Sequence, residues 1–173
     1  MDFIQLIKER YSARKFSDKK VEQEKLDLIL DAARFAPTAC NLQPQRLLIL
    51  NETESLEKLK NCTPFHFNAP LAILVCYDEA SSWKRKYDNS DEGAVDASIV
   101  TTHMMLEIAN LGLGSTWVGS FNPEKVKENF ELPENYIPVA ILPIGYPSED
   151  CEPSPAHEAR FEKEKTIFYN SFK

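Results

Sequence analysis

The strongest constraint on the fold comes from a helix that is apolar on most of its sides. Between Val95 and Leu111, large apolar side chains recur in every turn and are not confined to one stripe. They are Ile99, Val100, Met104, Leu106, Ile108 and Leu111. A surface helix shows a single apolar stripe, so this pattern predicts a helix that is largely buried. Gly112 and Gly114 indicate its end.

The remaining patterns predict a sheet with helices packed on it. Residues 71–77 form a continuous apolar run of strand length, which is typical of a buried strand. Further strands are predicted at 46–50, 115–119 and 137–145, and further helices at 2–10, 22–36, 53–61 and 122–130. No repeat or linker divides the chain, so we predict one domain over residues 1–173. The polar, proline-rich tail that begins at Tyr146 is expected to wrap a neighbouring subunit.

Charge and cysteine spacing exclude several classes of partner. The chain has 20 basic and 27 acidic residues, and this acidic balance argues against binding to nucleic acid or anionic membranes. No apolar run approaches a membrane span and no signal-peptide segment begins the chain, so we expect a cytoplasmic protein. The four cysteines lack metal-ligand spacing, so we expect free thiols, with Cys76 in the core, and no metal site.

A short basic segment near the N-terminus carries the first candidate functional groups. Arg10, Ser12 and Arg14 are spaced at i, i+2 and i+4, so their side chains share one face if the segment is extended. Two guanidinium groups on one face are suited to bind an anion. The alternative is that the arginines are solvated at the surface or pair with some of the many acids.

A second segment, from Ala36 to Pro44, offers neutral hydrogen-bonding groups. Pro37 ends the preceding helix, and Thr38, Asn41 and Gln43 then supply a hydroxyl and two amides in a proline-bounded loop. Together the two segments are suited to bind an anion and a large polar heterocycle at one site.

Other cofactor and catalytic patterns are not met. Gly112, Gly114 and Gly119 do not form a dinucleotide fingerprint, because Trp117 stands where the third glycine is needed and the glycines follow a helix. No phosphate-binding Gly-Lys-Ser/Thr sequence occurs. The three histidines are scattered without a recognisable nucleophile, and His103, inside the apolar helix, is expected to be a core residue.

Both N-terminal segments resemble the FMN-binding signatures of the nitroreductase family, which read roughly Arg-x-Ser-x-Arg and Ala-Pro-Ser/Thr-x-x-Asn-x-Gln-Pro. The similarity continues in Gly112-Leu-Gly-Ser-Thr-Trp-Val-Gly119 and in Ile144-Gly-Tyr-Pro147, followed by Arg160. The motifs follow the family's order over nearly the whole chain. The resemblance implies an α+β fold with a mixed, largely antiparallel sheet flanked by helices, in an intertwined homodimer.

The resemblance also implies an FMN site at the dimer interface, to which both subunits contribute. Arg10, Ser12 and Arg14 match residues that hold the phosphate and the ribityl chain. Arg160 matches an arginine that closes on the same phosphate. A phosphate dianion needs charge-assisted donors, which the arginine fork supplies.

The second segment and a later turn match the flavin half of that site. Thr38, Ala39 and Asn41 match residues that reach the flavin from the partner subunit. Pro37 and Gln43 belong to the same loop.

Gly119, with Ser120, matches the turn whose backbone N–H faces the hydride-accepting nitrogen of the flavin. A glycine there lets the backbone approach a ring closely. Residues 62–68 lack the lysine that many family members place beside the flavin's pyrimidine edge. Arg46 and His66 are the candidates to replace it.

The implied activity is hydride transfer from NADH or NADPH through FMN to a small aromatic acceptor such as a nitroaromatic or a quinone, in a ping-pong cycle. No catalytic side chain is required. Trp117, Trp83 and Tyr87 are expected to line the substrate pocket, and residues 78–92 form either a surface loop or a lid. The alternatives are a flavin-binding member without nitroreductase turnover, acting as a flavin-modifying enzyme or redox sensor, and a flavin-free interaction protein.

Overall fold

A computed structural model describes residues 2–172 as helices packed on both faces of one sheet. The helices are α1 Phe3–Glu9, α2 Gln23–Phe35, α3 Thr53–Lys60, α4 Gly93–Asn110 and α5 Pro123–Asn129. The strands are β1 Gln45–Leu50, β2 Leu71–Asp78, β3 Gly114–Ser115 and β4 Tyr136–Gly145, and short 3-10 turns occupy Ala39–Asn41, Pro155–His157 and Lys163–Lys165. Between residues 2 and 172, no helix combines the length and the apolarity that crossing a membrane requires.

The four strands form a sheet in the order β1-β2-β4-β3, and each neighbouring pair is antiparallel. In the register, Leu74 of β2 lies between Leu48 of β1 and Ile141 of β4. A parallel bridge joins Ser12 to Ser115 at the β3 edge. The predicted α+β architecture with a largely antiparallel sheet is therefore confirmed.

Strand β2 is covered on both faces, as its continuous apolar run predicts. On one face, Ile73 and Val75 pack with residues of α2 and α4. On the other, Leu74 and Cys76 pack with residues of α3 and α5. Burial raises the pKa of the Cys76 thiol to about 12. All four cysteines are free thiols, and Cys76 belongs to the core, so both predictions are confirmed.

Helix α4 is the central helix, because it contacts α1, α2 and all four strands. One face is fully buried, and Ala97, Val100, Met104 and Ile108 lie on it. The prediction that this helix is largely buried is therefore confirmed for that face only.

The opposite face of α4 lines an open groove of about 460 Å³. We call it the α4 groove; its residues are Ala94, Val95, Ser98, Ile99, Thr102 and His103. The expectation that His103 is a core residue is wrong, because the side chain is only partly buried on this face. Its Nδ1 lies 2.9 Å from the carbonyl oxygen of Ile99.

The predicted strand at 115–119 is shorter than expected. Regular pairing with β4 ends after Ser115 and returns as a single bridge between Val118 and Ile141. The interruption lies opposite Pro143, which has no N–H to donate to a neighbouring strand.

Candidate functional site

Residues 10–14, which we call the basic strand, extend the sheet beyond β3. The N–H of Ala13 donates to the carbonyl oxygen of Ser115 at 3.0 Å, and Ala13 is fully buried. A Cβ atom on Gly114 would lie only 2.6 Å from the Cβ of Ala13, so the glycine allows the two segments to approach. The segment is extended, so Arg10, Ser12 and Arg14 lie on one side of it, and Tyr11 and Ala13 lie on the other.

The arginines of the basic strand differ in their surroundings. Arg10 lines a cavity of about 210 Å³ together with Ala109, Gly112 and Ser115. Its Nη1 is buried and has no hydrogen-bond partner within the described residues. Arg14 is exposed, and its Nη1 donates to the backbone oxygen of Ser12 at 3.2 Å. A buried guanidinium nitrogen requires an acceptor, so this nitrogen is suited to bind an anion, and the acidic Glu9 lines the same cavity.

The start of the C-terminal tail is bound by its own chain. Lys15 pairs with Asp150 at 2.7 Å, and the hydroxyl of Tyr11 donates to the carbonyl oxygen of Cys151 at 3.1 Å. Burial, and then the interaction with the Cys151 thiol, raise the pKa of Tyr11 to about 12. The start of the tail therefore packs on its own chain, and the expectation that the tail wraps a neighbouring subunit stays a prediction.

Arg160 lies further along the tail and does not contact the basic strand. It is exposed, and its Nη1 donates to the carbonyl oxygens of His157 and Ala159 at 2.6 and 2.7 Å. His157 in turn lies 3.1 Å from the carbonyl oxygen of Lys8, at the end of α1. The tail thus brings Arg160 to the N-terminal region with its side chain turned back on the tail.

Residues 38–43, which we call the polar loop, follow α2 after Pro37. Cys40, Asn41 and Gln43 have φ angles of 50°, 54° and 52°, in the left-handed region that residues other than glycine seldom adopt. The N–H of Gln43 donates to Oγ1 of Thr38 at 3.1 Å. The side chains of Asn41 and Gln43 lie at the exposed surface, available to a ligand or a second subunit.

Two side chains outside the polar loop hold it. Oδ1 of Asp96, on α4, accepts a hydrogen bond from the N–H of Ala39 at 2.9 Å. Arg46 donates to the carbonyl oxygen of Gln43 at 3.1 Å and pairs with Asp78 at 2.9 Å. The sequence analysis missed Asp96, although an acid inside a helix that is otherwise largely apolar was an available signal.

Gly119 and Ser120 form a turn that is held against residues 62–68. Oγ1 of Thr63 donates to the carbonyl oxygen of Ser120 at 2.7 Å. A Cβ atom on Gly119 would meet nothing closer than Nε1 of Trp117, at 3.7 Å, and its φ is not positive. Neither backbone conformation nor packing requires glycine here, and Gly119 is exposed, so the turn is accessible to a ligand.

The candidates for the missing lysine are poorly suited to that role. The guanidinium of Arg46 is engaged by Asp78 and by the polar loop. Burial, and then the charge of Lys60, lower the pKa of His66 and so favour its neutral form. A cleft of about 750 Å³ beside Ser120 is instead lined by Lys60 and Lys125, which the sequence analysis did not consider.

The three aromatic residues expected in the substrate pocket lie on two segments, Trp83 and Tyr87 in residues 78–92 and Trp117 after β3. Trp117 neighbours Gly119, and Tyr87 is 96 % exposed in the 78–92 segment. No ring contact joins Trp117, Trp83 and Tyr87 in the part of the chain that the structure describes. The 78–92 segment is itself folded, with an ion pair between Lys84 and Asp91.

The basic strand and the polar loop lie at opposite ends of α4. Asp96, in the first turn of the helix, contacts the polar loop, whereas Ala109, in the last turn, lines the Arg10 cavity. At 1.5 Å per residue, these two positions are about 20 Å apart. One chain therefore does not bring the two predicted halves of the site together.

Comparison with known proteins shows that most of the chain matches a single family. Residues 7–63 and 55–146 match the profile of the nitroreductase family, a range that includes every predicted site residue except Arg160. The crystal structure of a nitroreductase family protein from Clostridium difficile 630 is 45 % identical, with a TM-score of 0.93, and covers 99 % of each chain.

Two further relatives carry functional names. An FMN-dependent nitroreductase from Clostridium difficile R20291 is 31 % identical, with a TM-score of 0.81, over 98 % of this chain and 99 % of that one. An FMN reductase [NAD(P)H] of Bacillus subtilis is 28 % identical over 89 % of this chain and 69 % of that protein.

Proposed function

Since this chain belongs to the nitroreductase family, we propose that it is an FMN-dependent oxidoreductase with NADH or NADPH as its hydride donor. The names of its relatives, an FMN-dependent nitroreductase and an FMN reductase [NAD(P)H], support this assignment. We further propose that residues 1–173 act as one domain. Dependence on reduced nicotinamide favours a location in the cytoplasm, where that donor is made available.

The observation that carries the proposal is the unpartnered Nη1 of Arg10. A buried guanidinium nitrogen without an acceptor destabilises the free chain, and a phosphate oxygen in the adjacent cavity removes that cost. Arg14 and Ser12 extend the same donor set along the basic strand. Arg160 would complete it by releasing its two carbonyl partners and turning toward the phosphate.

The flavin ring would lie against the polar loop and the turn at Gly119. The exposed amides of Asn41 and Gln43 supply both donors and acceptors, which the heteroatoms of the ring require. The free space above Gly119 lets the ring approach the backbone of the turn. The positive charge beside the pyrimidine edge would come from Lys125, which lines the neighbouring cleft.

A homodimer would unite the two halves of the site. The basic strand and the polar loop belong to opposite ends of α4, and the exposed α4 groove lies between those ends. A two-fold axis that packs two α4 helices antiparallel brings the N-terminal end of one beside the C-terminal end of the other. Each site would then combine the basic strand of one subunit with the polar loop of its partner.

The end of the tail supports the same assembly. Beyond His157 the described tail is exposed, and it carries large apolar side chains without a cover. These are Phe161, Ile167, Phe168, Tyr169 and Phe172. A cluster of exposed apolar side chains on a soluble chain indicates a surface that another molecule covers, so the intertwined part of the dimer is expected here.

We propose a nitroaromatic or a quinone as the acceptor, reduced in a ping-pong cycle. When bound, FMN supplies the redox chemistry by accepting a hydride from NAD(P)H and passing it to the acceptor. The donor and the acceptor would use the same open space above Gly119 in turn, which is why the cycle is ping-pong. Trp117, beside this space, offers a flat face for stacking, and Trp83 and Tyr87 would reach it as parts of a lid.

Purification tests the assignment directly. We expect yellow protein that retains FMN, runs as a dimer and oxidises NADH or NADPH when a nitroaromatic or quinone is added, under controlled oxygen. Bound FMN without turnover on any acceptor would favour a flavin-modifying enzyme or a sensor. Colourless protein that does not take up FMN would refute the proposal and favour a flavin-free interaction protein.

The double variant Arg14→Ala/Arg160→Ala tests the phosphate half. Loss of two charge-assisted donors is expected to weaken FMN binding by about 100-fold or more. Arg34→Ala is the matched control, since Arg34 is an exposed arginine that pairs with Asp31 in the same helix. Equal FMN affinity of the double variant and the wild type would show that the phosphate binds elsewhere.

A further inference from the structure

We propose that Asp96 is a positioning residue that fixes the polar loop in its binding conformation. This inference rests on the proposed function, because it assigns the polar loop to the flavin. Asp96 is only 2 % exposed, although it is an acid in the first turn of a helix that packs on the core. Buried carboxylates are rare unless a specific partner holds them, so its location requires an explanation.

The hydrogen bond from Ala39 supplies that explanation. Oδ1 of Asp96 accepts from the N–H of Ala39 at 2.9 Å, at the start of the 3-10 turn. A charged acceptor makes a stronger hydrogen bond than a neutral one. The bond therefore ties the first residue of the turn to α4, the central helix of the fold.

The backbone of the polar loop explains why an external anchor is needed. Cys40, Asn41 and Gln43 adopt left-handed conformations that are unfavourable for residues with a side chain. Inside the loop, the side-chain bonds that oppose this strain are those from Gln43 to Thr38 and to Asn41, and both lie at the exposed surface. These bonds therefore cannot anchor the loop on its buried side, where Asp96 lies.

The second carboxylate oxygen indicates that Asp96 serves more than packing. Oδ2 is buried and has no hydrogen-bond partner within residues 2–172. An unpartnered buried oxygen destabilises a fold, so a residue selected for stability alone would not leave it. A loop that is held in one conformation before the cofactor arrives binds it more tightly, because the loop then loses less conformational entropy on binding.

The test compares Asp96→Ala with Asp96→Asn, which keeps an acceptor for the Ala39 N–H. Hydrogen–deuterium exchange of the peptide spanning residues 36–44 is measured without FMN, and FMN affinity is measured separately. We expect Asp96→Ala to exchange this peptide at least about tenfold faster and to bind FMN about tenfold more weakly. Asp96→Asn should restore most of both properties.

Thr101→Val is the matched control, since Thr101 is also buried on α4 but donates its hydroxyl to Ala97 of the same helix. It should leave exchange at 36–44 and FMN affinity unchanged. Unchanged exchange in Asp96→Ala, or equal defects in Asp96→Ala, Asp96→Asn and Thr101→Val, would overturn the positioning role. If wild-type protein fails to bind FMN, the proposed function fails, while the exchange measurement still decides whether Asp96 holds the loop.

Discussion

The basic strand and the polar loop are held in opposite ways. The basic strand is fixed by backbone pairing with β3, so its functional side chains take no part in holding it. The polar loop has a strained backbone and is fixed by side chains from elsewhere, namely Asp96 and Arg46. The two halves of the candidate site should therefore fail through different kinds of substitution.

The position of the basic strand depends on Gly114, which has no side chain and so allows the strand to lie close to β3. Gly114 packs against Ala13, and a Cβ there has no room. In the polar loop, the backbone position depends on the presence of particular polar atoms. Added volume should therefore damage the first half, and removal of a single hydrogen bond should damage the second.

The largest effect is expected for Gly114→Ala. The new Cβ would lie 2.6 Å from Ala13 and 2.9 Å from Pro147, so the basic strand must shift away from β3. Overpacking of this kind costs about 1–3 kcal/mol of unfolding free energy. Urea unfolding measures it, and we expect FMN binding to be lost together with stability.

Gly119→Ala is the matched control for that variant, because its Cβ meets nothing closer than 3.7 Å. It should unfold like the wild type and yet bind FMN less tightly, since the added methyl occupies the space of the ring. Equal stability of the two alanine variants would contradict the packing account of the basic strand.

The next effect separates function from stability within the basic strand. Arg10→Met keeps the length of the side chain and removes its unpartnered buried nitrogen. The unfolding free energy should stay constant or rise, whereas FMN affinity should fall about 10- to 100-fold with the lost charge-assisted bond. Fluorescence titration with FMN and urea unfolding of the same preparation measure the two quantities.

A marked loss of stability in Arg10→Met would mean that Arg10 has a structural partner and is not reserved for an anion. Arg34→Met, on the exposed end of α2, provides the comparison for replacing an arginine at the surface.

The contrast also explains which parts of the molecule the sequence could predict. Hydrophobic patterns act through local geometry, so the run at 71–77 correctly predicted a strand buried on both faces. Helix α4 was predicted to be largely buried, because a composition pattern does not distinguish a face that packs on the core from the one that lines the α4 groove. The short β3 follows from Pro143, a residue on another strand, and pairing across strands is not visible in a local pattern.

The candidate site shows the same limit. The residues of the basic strand and of the polar loop stand in short motifs, so sequence alone could name them. Asp96 lies 57 positions from its partner Ala39, and nothing local links them. Arg46 was considered as a charge for the flavin, but its ion pair with Asp78 depends on the register of β1 and β2.

A smaller effect is expected for Thr38→Val in the polar loop. Valine has the same shape and removes the acceptor of the Gln43 N–H. Because this N–H is exposed and can bond to water, we expect FMN affinity to fall only about three- to fivefold, roughly 1 kcal/mol or less. Thr101→Val again serves as the control, and a loss as large as that of Asp96→Ala would show that the loop is held from within.

The smallest effect concerns the contact between the basic strand and the tail. Burial and the interaction with the Cys151 thiol raise the pKa of Tyr11 to about 12 in the folded protein, above its ordinary value of 10. The protonated phenol is therefore favoured by folding, and its contribution to stability is complete below pH 10 and disappears as the pH rises through 12. Urea unfolding between pH 9 and 12 should show a steeper fall for the wild type than for Tyr11→Phe. Because backbone pairing holds the basic strand, FMN affinity at neutral pH should be nearly equal in the two proteins, and a large loss in Tyr11→Phe would show that side chains hold this half as well.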